Sequence, residues 1–282
     1  MGGIIKRPEV AGGAVTPMAQ KLSALSKGVA GSRLPAPPWR GGRGELYAAF
    51  AFDTTGSMHP WFTEGKRAIG RIAAEVWQRQ KGFRFAFVPY KNHGDEGCFD
   101  GHHAFAVTEF TNELTRIEQQ LDKVRQEGGG NDGLCALEDV FHFLNTGAEW
   151  PTLAKKTLIV IGDMPPHGVV DDVSKCPNEF DYRAEVARFK EKKITAYTVY
   201  CHDENYLDSK RIKKIAEFYR WLATETGGKC LALTDVDELV PVLIGVCLKE
   251  TGHLGDYLKQ LSRQGKLTCK TEKNLLLLGG GK

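Results

Sequence analysis

Short apolar runs alternate with segments of helical periodicity, and this alternation constrains the fold of the chain more than any other feature. The apolar runs are LYAAFAF, FRFAFVPY, HAFAVTEF, KTLIVIG, ITAYTVYC and GGKCLAL. Between them, apolar residues recur every three or four positions, as in Ile69, Ile72 and Val76. Strands that alternate with helices form a mainly parallel sheet. We therefore predict a doubly wound α/β fold with helices on both faces of the sheet and one antiparallel strand at an edge.

The alternating pattern starts at Glu45 and divides the chain into three parts. Residues 1–44 contain nine Gly, five Pro and seven Lys or Arg but one acidic residue, which is typical of a flexible basic leader. We predict one folded domain over residues 45–250. Residues 251–282 are then a C-terminal extension, in which we expect the apolar stretch NLLLL to dock on a surface rather than form an element.

The composition indicates a cytoplasmic protein. A formal net charge of +3 is too small to predict a nucleic-acid partner. No apolar run approaches the roughly 20 residues that span a bilayer, so we expect no membrane partner. The seven cysteines contain no CxxC pair, as expected of reduced thiols in the cytoplasm.

Acidic, amide and hydroxyl side chains cluster where a parallel sheet binds its ligands. These residues are Asp53, Thr55, Ser57, Asn131, Asp132 and Asp163. The first three follow the first strand, the next two precede a helix, and the last ends a strand. Ligands of doubly wound sheets bind beyond the carboxyl ends of the strands, and oxygen ligands without His or Cys suit Mg²⁺ or Mn²⁺. Each residue alone fits a helix cap or a turn equally well, so the interpretation depends on the combination.

Four segments resemble, in the right order, motifs of intracellular von Willebrand factor type A (VWA) domains. They are FDTTGSM, VPYKNHGDEG, GGGNDGLCALEDV and LIVIGDMPPHG. The first is similar to the Asp-x-Ser/Thr-x-Ser motif of the metal-ion-dependent adhesion site (MIDAS). The resemblance covers residues 45–250 and implies a Rossmann-like fold. It also implies a metal site whose ligands are Asp53, Thr55, Ser57, Asp132 and Asp163, with Asn131 as the alternative in the third loop.

The resemblance also implies a function. In this family the metal usually does no chemistry, and an open coordination position accepts an acidic side chain of a partner. We therefore expect the chain to bind another protein through Mg²⁺ or Mn²⁺, in an intracellular multiprotein complex, and not to be an enzyme. His59, Trp61 and His167 are candidate contacts around the metal, although Trp61 fits a core position equally well.

Three other site classes fit the sequence less well. A haloacid-dehalogenase-like phosphatase also begins with a strand that ends in Asp, but it needs a second Asp two positions later, where this chain has Thr55. A dinucleotide-binding domain would carry Gly-x-Gly-x-x-Gly after the first strand, which is missing. A zinc site of His93, Cys98, His102 and His103 has no recognisable ligand spacing.

Overall fold

The computed structural model describes residues 44–95, 99, 104–125, 128, 133–171, 173–201 and 209–279. Cys98, His102, His103, Asn131 and Asp132 lie outside these residues, as does the predicted leader apart from Gly44. None of the helices in the described part combines the length and the apolarity needed to cross a bilayer.

Five parallel strands form the centre of the molecule. They are β1 (Leu46–Asp53), β2 (Phe83–Tyr90), β3 (Lys155–Gly162), β4 (Ile194–Cys201) and β5 (Cys230–Leu233). The sheet order is β2-β1-β3-β4-β5, and every neighbouring pair is parallel. All eight residues of β1 are buried, as expected for an apolar strand covered on both faces.

Helices cover both faces of this sheet. They are α1 (His59–Arg79), α2 (Leu114–Asp122), α3 (Leu137–Thr146), α4 (Tyr182–Glu191), α5 (Ser209–Glu225), α6 (Leu239–Glu250), α7 (Leu254–Arg263) and α8 (Cys269–Gly279). Helices α1, α2, α6, α7 and α8 pack on one face, and α3, α4 and α5 pack on the other. Side chains of β1 alternate between the two cores, with Phe50 and Phe52 in the first and Ala49 and Ala51 in the second. The predicted doubly wound, Rossmann-like α/β fold is confirmed.

The predicted antiparallel edge strand is wrong within the described residues. Residues 104–111, which hold most of the run HAFAVTEF, lie antiparallel to β2 but form only two isolated bridges with it. Ala106 donates to the carbonyl of Pro89 at 3.0 Å, yet Pro89 has no N–H to donate in return. The N–H of Phe87 donates to the side-chain Oγ1 of Thr108 at 2.6 Å instead of to a backbone carbonyl. These two interruptions prevent a continuous ladder.

The C-terminal extension forms two helices instead of a surface-docked tail. Leu275 and Leu278 are fully buried in the core of the first face, whereas Leu276 and Leu277 are about half exposed. Leucines three residues apart share a helix face, so the run NLLLL divides between the core and the surface. A Cβ on Gly245 in α6 would lie 2.2 Å from Leu275 Cδ2, which shows how closely α6 and α8 approach.

Candidate metal centre

Asp53 and Asp163 lie at the topological switch point of the sheet. Asp53 is the last residue of β1, and Asp163 follows directly after β3. Because β1 and β3 are parallel neighbours from which the chain leaves to opposite faces, their carboxyl ends frame the usual ligand crevice of such sheets. Burial, and then the charge of Asp163, raise the pKa of Asp53 to about 7. Asp163 is therefore close enough for its charge to oppose the ionisation of Asp53.

The carboxylate of Asp53 is buried and only half satisfied. The side chain has no exposed surface, and its Oδ1 accepts a hydrogen bond from the N–H of Thr55 at 2.8 Å. Its Oδ2 is buried and has no hydrogen-bond partner among the described residues. A buried, ionised oxygen without a partner costs several kcal/mol unless a proton or a cation compensates it. The position fits a bound cation.

Two hydroxyl groups lie close together in the turn after β1. The segment Gly56–Met58 forms one turn of 3₁₀ helix, and Thr55 Oγ1 lies 3.4 Å from Ser57 Oγ. Thr55 is buried, whereas Ser57 is exposed. The turn thus brings a buried and an exposed hydroxyl together directly after Asp53.

The glycine-rich loop before α3, which is the third loop of the predicted site, contacts the loops that follow β1 and β3. The N–H of Gly56 donates to the carbonyl of Gly128 at 3.1 Å, and that of Cys135 donates to the carbonyl of Pro165 at 3.0 Å. The predicted ligand Asp132 and its alternative Asn131 lie between Gly128 and Cys135 in the sequence and are outside the described residues. The choice between them therefore stays a prediction.

Gly162 permits a close packing of polar groups beneath the two acids. A Cβ at this position would lie 2.6 Å from Tyr90 Oη, 2.8 Å from Tyr219 Oη and 3.1 Å from the Cβ of Asp53. The two tyrosine hydroxyls donate to backbone carbonyls on either side of Asp163, at 3.3 and 3.0 Å. They brace the end of β3. Sequence reasoning missed these tyrosines, and the only signal was the Gly before the Asp.

Lys91 supplies a fixed positive charge near the acids. Its side chain is fully buried, and Nζ donates to the carbonyl of Thr54 at 2.6 Å. This charge acts against burial and Asp163, which together still raise the pKa of Asp53. At Asp53 this ammonium is therefore outweighed by burial and by the charge of Asp163.

The three predicted contact residues occupy different environments. His59 is exposed at the start of α1. Trp61 is half-buried and packs against the core of the first face. His167 is buried, and its Nδ1 lies 2.7 Å from Glu138 Oε1. Of the three, His59 is the most exposed.

A second polar cluster surrounds the ring of His93. The ligand atoms of His93, Glu138, Asp139 and Cys176 all lie within 4.8 Å of one another. Sequence reasoning had grouped His93 with Cys98, His102 and His103 and had missed the partners that the structure gives it. The available signal was the acidic pair Glu138-Asp139 in the apolar stretch LCALEDVF, together with His93 in VPYKNHGDEG and His167 in LIVIGDMPPHG.

Comparison with known proteins supports the fold and assigns no family. No family model and no curated protein matches the chain. Similar solved structures include the pilus adhesin SpaC from Lactobacillus rhamnosus GG in its open conformation, with 10% identity, a TM-score of 0.52, and coverage of 76% of this chain and 31% of that chain. A second crystal form of SpaC gives 10% identity, a TM-score of 0.51, and coverage of 75% and 31%. The match spans about a third of the adhesin. The molecule is thus an α/β domain with an acidic pair at its switch point.

Proposed function

We propose that this chain is a metal-ion-dependent protein-binding module of the VWA kind. Mg²⁺ or Mn²⁺, held by Asp53, Thr55, Ser57 and Asp163, accepts an Asp or Glu side chain of a partner protein. Asp132 contributes a further ligand from the third loop. The observation that carries the proposal is the buried Oδ2 of Asp53, which has no hydrogen-bond partner among the described residues although Asp163 lies beside it.

The charge balance of the crevice favours a divalent cation. Two carboxylates at the ends of adjacent strands repel each other, and burial increases the cost for Asp53. Carboxylate and hydroxyl oxygens suit Mg²⁺ and Mn²⁺, which keep several water ligands when a protein supplies only part of their coordination shell. A partner carboxylate that replaces one of these waters gains a charge-assisted contact with the ion.

Binding accounts for the site better than hydrolysis does. Within the described residues, the hydroxyl of Thr55 contacts Ser57, and no histidine is hydrogen-bonded to either hydroxyl. A phosphatase of the haloacid-dehalogenase kind would need an acid–base carboxylate at the position of Thr55. Under this proposal, the chain acts as a non-enzymatic component of a cytoplasmic multiprotein complex.

The proposal is tested first by cation binding to the full chain. We expect Mn²⁺, followed by its electron paramagnetic resonance signal, to bind the wild-type chain and to be displaced by excess Mg²⁺. Asp53→Asn should lose this binding, whereas Asp256→Asn, at an exposed acid in α7, should retain it. Equal Mn²⁺ binding by wild type and Asp53→Asn would refute the assigned ligands.

Partner capture tests the second part of the proposal. Proteins retained by the immobilised chain in Mg²⁺ should be released by EDTA and should not be retained by Asp53→Asn. Loss of a buried partner carboxylate should weaken binding by about 2–5 kcal/mol. A complex that survives EDTA and tolerates Asp53→Asn would indicate a metal-independent scaffold. Turnover of a generic phosphomonoester that depends on Asp53 would indicate the phosphatase.

A further inference from the structure

We propose that His93, Glu138, Asp139 and Cys176 form a second metal site that binds Zn²⁺ through four protein ligands. This site is separate from the one at Asp53 and Asp163, which we call the acidic centre. His93 comes from the loop after β2, the two acids from the first turn of α3, and Cys176 from the loop between β3 and α4. A thiolate, an imidazole and carboxylates are the ligand types of zinc, whereas Mg²⁺ and Mn²⁺ prefer oxygen alone.

Three of the six distances between the ligand atoms are close to those of a zinc tetrahedron. Zinc–ligand bonds of about 2.0–2.3 Å place neighbouring ligand atoms about 3.3–3.8 Å apart. Cys176 Sγ lies 3.7 Å from His93 Nε2 and 3.4 Å from Asp139 Oδ2. His93 Nε2 lies 3.4 Å from Glu138 Oε1. The 2.9 Å between His93 Nε2 and Asp139 Oδ2 is a hydrogen-bond distance and would lengthen by about half an ångström around the ion.

One carboxylate oxygen of Glu138 can accept a further contact, such as one from a metal ion. This residue is 1% exposed, and its Oε2 is buried without a hydrogen-bond partner among the described residues. Asp139, beside it, is 3% exposed. Two buried carboxylates on adjacent residues are costly unless cations compensate them. In the metal-free chain the imidazolium of His93 supplies a positive charge: burial opposes it, but hydrogen bonds to Asp139, Cys176 and Glu138 raise the pKa of His93 to about 12. A bound dication would take the place of that proton.

Neighbouring residues hold the ligands in orientation, as the outer contacts of metal sites do. His167 Nδ1 lies 2.7 Å from Glu138 Oε1. The side-chain amide of Asn178 donates to Asp139 Oδ1 at 2.5 Å, and its backbone N–H donates to Cys176 Sγ at 3.4 Å. Such supporting hydrogen bonds fix the direction of metal ligands. His167 is thus a positioning residue of this cluster.

The same residues do not form a Cys-His-Asp catalytic group. In a catalytic triad the imidazole uses one nitrogen for the nucleophile and the other for the acid. Here Nε2 of His93 is the atom near both Cys176 and Asp139. Burial also raises the pKa of the Cys176 thiol to about 11, so without a metal it is a poor nucleophile.

A metal here would connect the loops that carry the acidic centre. The N–H of Ala136 donates to the carbonyl of Lys91 at 2.9 Å, and Cys135 donates to Pro165. The zinc ligands extend these backbone contacts, since they lie in the loop after β2, at the start of α3 and in the loop after β3. The second ion therefore has a structural role, and its existence does not depend on the function proposed for the first.

Metal analysis and cobalt substitution of the full chain test this site. We expect about one zinc per chain after dialysis. With Co²⁺ in place of zinc, we expect the near-ultraviolet absorption of thiolate-to-cobalt charge transfer. Cys176→Ser should abolish that absorption, and His93→Ala should lose the metal. Cys230→Ser, at a partly buried thiol in β5, should change neither.

Two results would overturn the proposal. One is a folded wild-type chain that binds neither zinc nor cobalt. The other is a cobalt–thiolate absorption that persists in Cys176→Ser. If Cys176→Ser does not fold, the wild-type cobalt spectrum still decides, because absence of the charge-transfer band excludes a thiolate ligand. Asp53→Asn should keep its zinc while losing Mn²⁺ binding, so a failure at one site is distinguishable from a failure at the other.

Discussion

Asp53 is a carboxylate whose ionisation is opposed by its surroundings. Burial, and then Asp163, raise its pKa to about 7, although Thr55 and Lys91 act in the opposite direction. An aspartate in an unfolded chain has a pKa of about 3.9. Between these two values the folded, metal-free protein binds more protons than the unfolded chain. Its free energy of unfolding must therefore fall as the pH rises through this window.

We predict a pH-dependent difference between wild type and Asp53→Asn in the absence of metal. As the pH rises from about 4 to about 7, the wild type should lose on the order of 2–4 kcal/mol relative to the variant, because each pKa unit corresponds to about 1.4 kcal/mol. The loss is complete above the folded pKa and absent below the unfolded one. Urea denaturation in EDTA at several pH values measures it, and parallel curves for the two proteins would contradict the prediction.

The strands and most helices could be predicted from the sequence because local periodicity specifies them. β1, β3 and β4 are apolar runs buried on both faces, and the Asp residues at the ends of β1 and β3 follow from these boundaries. The edge segment of residues 104–111 could not be predicted in detail. Its hydrogen-bond ladder to β2 is interrupted by the missing N–H of Pro89 and by the side-chain hydroxyl of Thr108. Neither of these features changes the apolar pattern of the sequence.

The second cluster could not be predicted because its members have no ligand spacing in the sequence. His93 and Cys176 come from two separate loops and Glu138 from the first turn of α3, and only the parallel sheet brings these segments to one edge. The positions of Asp53 and Asp163 were accessible to prediction because both residues mark the ends of strands. The two tyrosines beneath these acids were not predictable, because Tyr90 reaches β3 from β2 across the intervening β1, and Tyr219 comes from α5, which packs on β4 and β5.

At the level of the strand, we predict that Gly162→Ala disturbs the acidic centre. The added methyl group would overlap both tyrosine hydroxyls and press on Asp53, so stability should fall by about 1–3 kcal/mol. Mn²⁺ affinity should fall as well, because the end of β3 must move. Gly255→Ala is the control, since a Cβ at that position in α7 has nothing within 4 Å and should be neutral or slightly stabilising. Unchanged stability in Gly162→Ala would show that the site tolerates the movement.

At the scale of the whole molecule, the first face of the sheet is completed by helices from the C-terminal extension. Leu254 and Leu261 of α7 and Leu278 of α8 belong to the same core as Phe50 and Phe52 of β1. This arrangement was not apparent from the sequence, because four consecutive leucines have no helical period of their own. Their division between core and surface depends on the direction in which α8 lies across α6.

We therefore predict that adjacent leucines of α8 differ sharply in their contribution to stability. Leu275 is fully buried against α6, and Leu276 is 51% exposed. Leu275→Ala should lower the free energy of unfolding by about 2–5 kcal/mol, since it leaves a cavity between α6 and α8. Leu276→Ala should change it by less than about 1 kcal/mol. Urea denaturation of the full chain measures both.

The unfolding of Leu275→Ala should also be cooperative with the loss of the first metal site. Helix α6 packs against α1, which begins just after the turn of Thr55 and Ser57. We therefore expect this variant to unfold in a single transition, and to release Mn²⁺ in that same transition. A separate early transition of α7 and α8 that leaves Mn²⁺ bound would instead make these helices an independent unit.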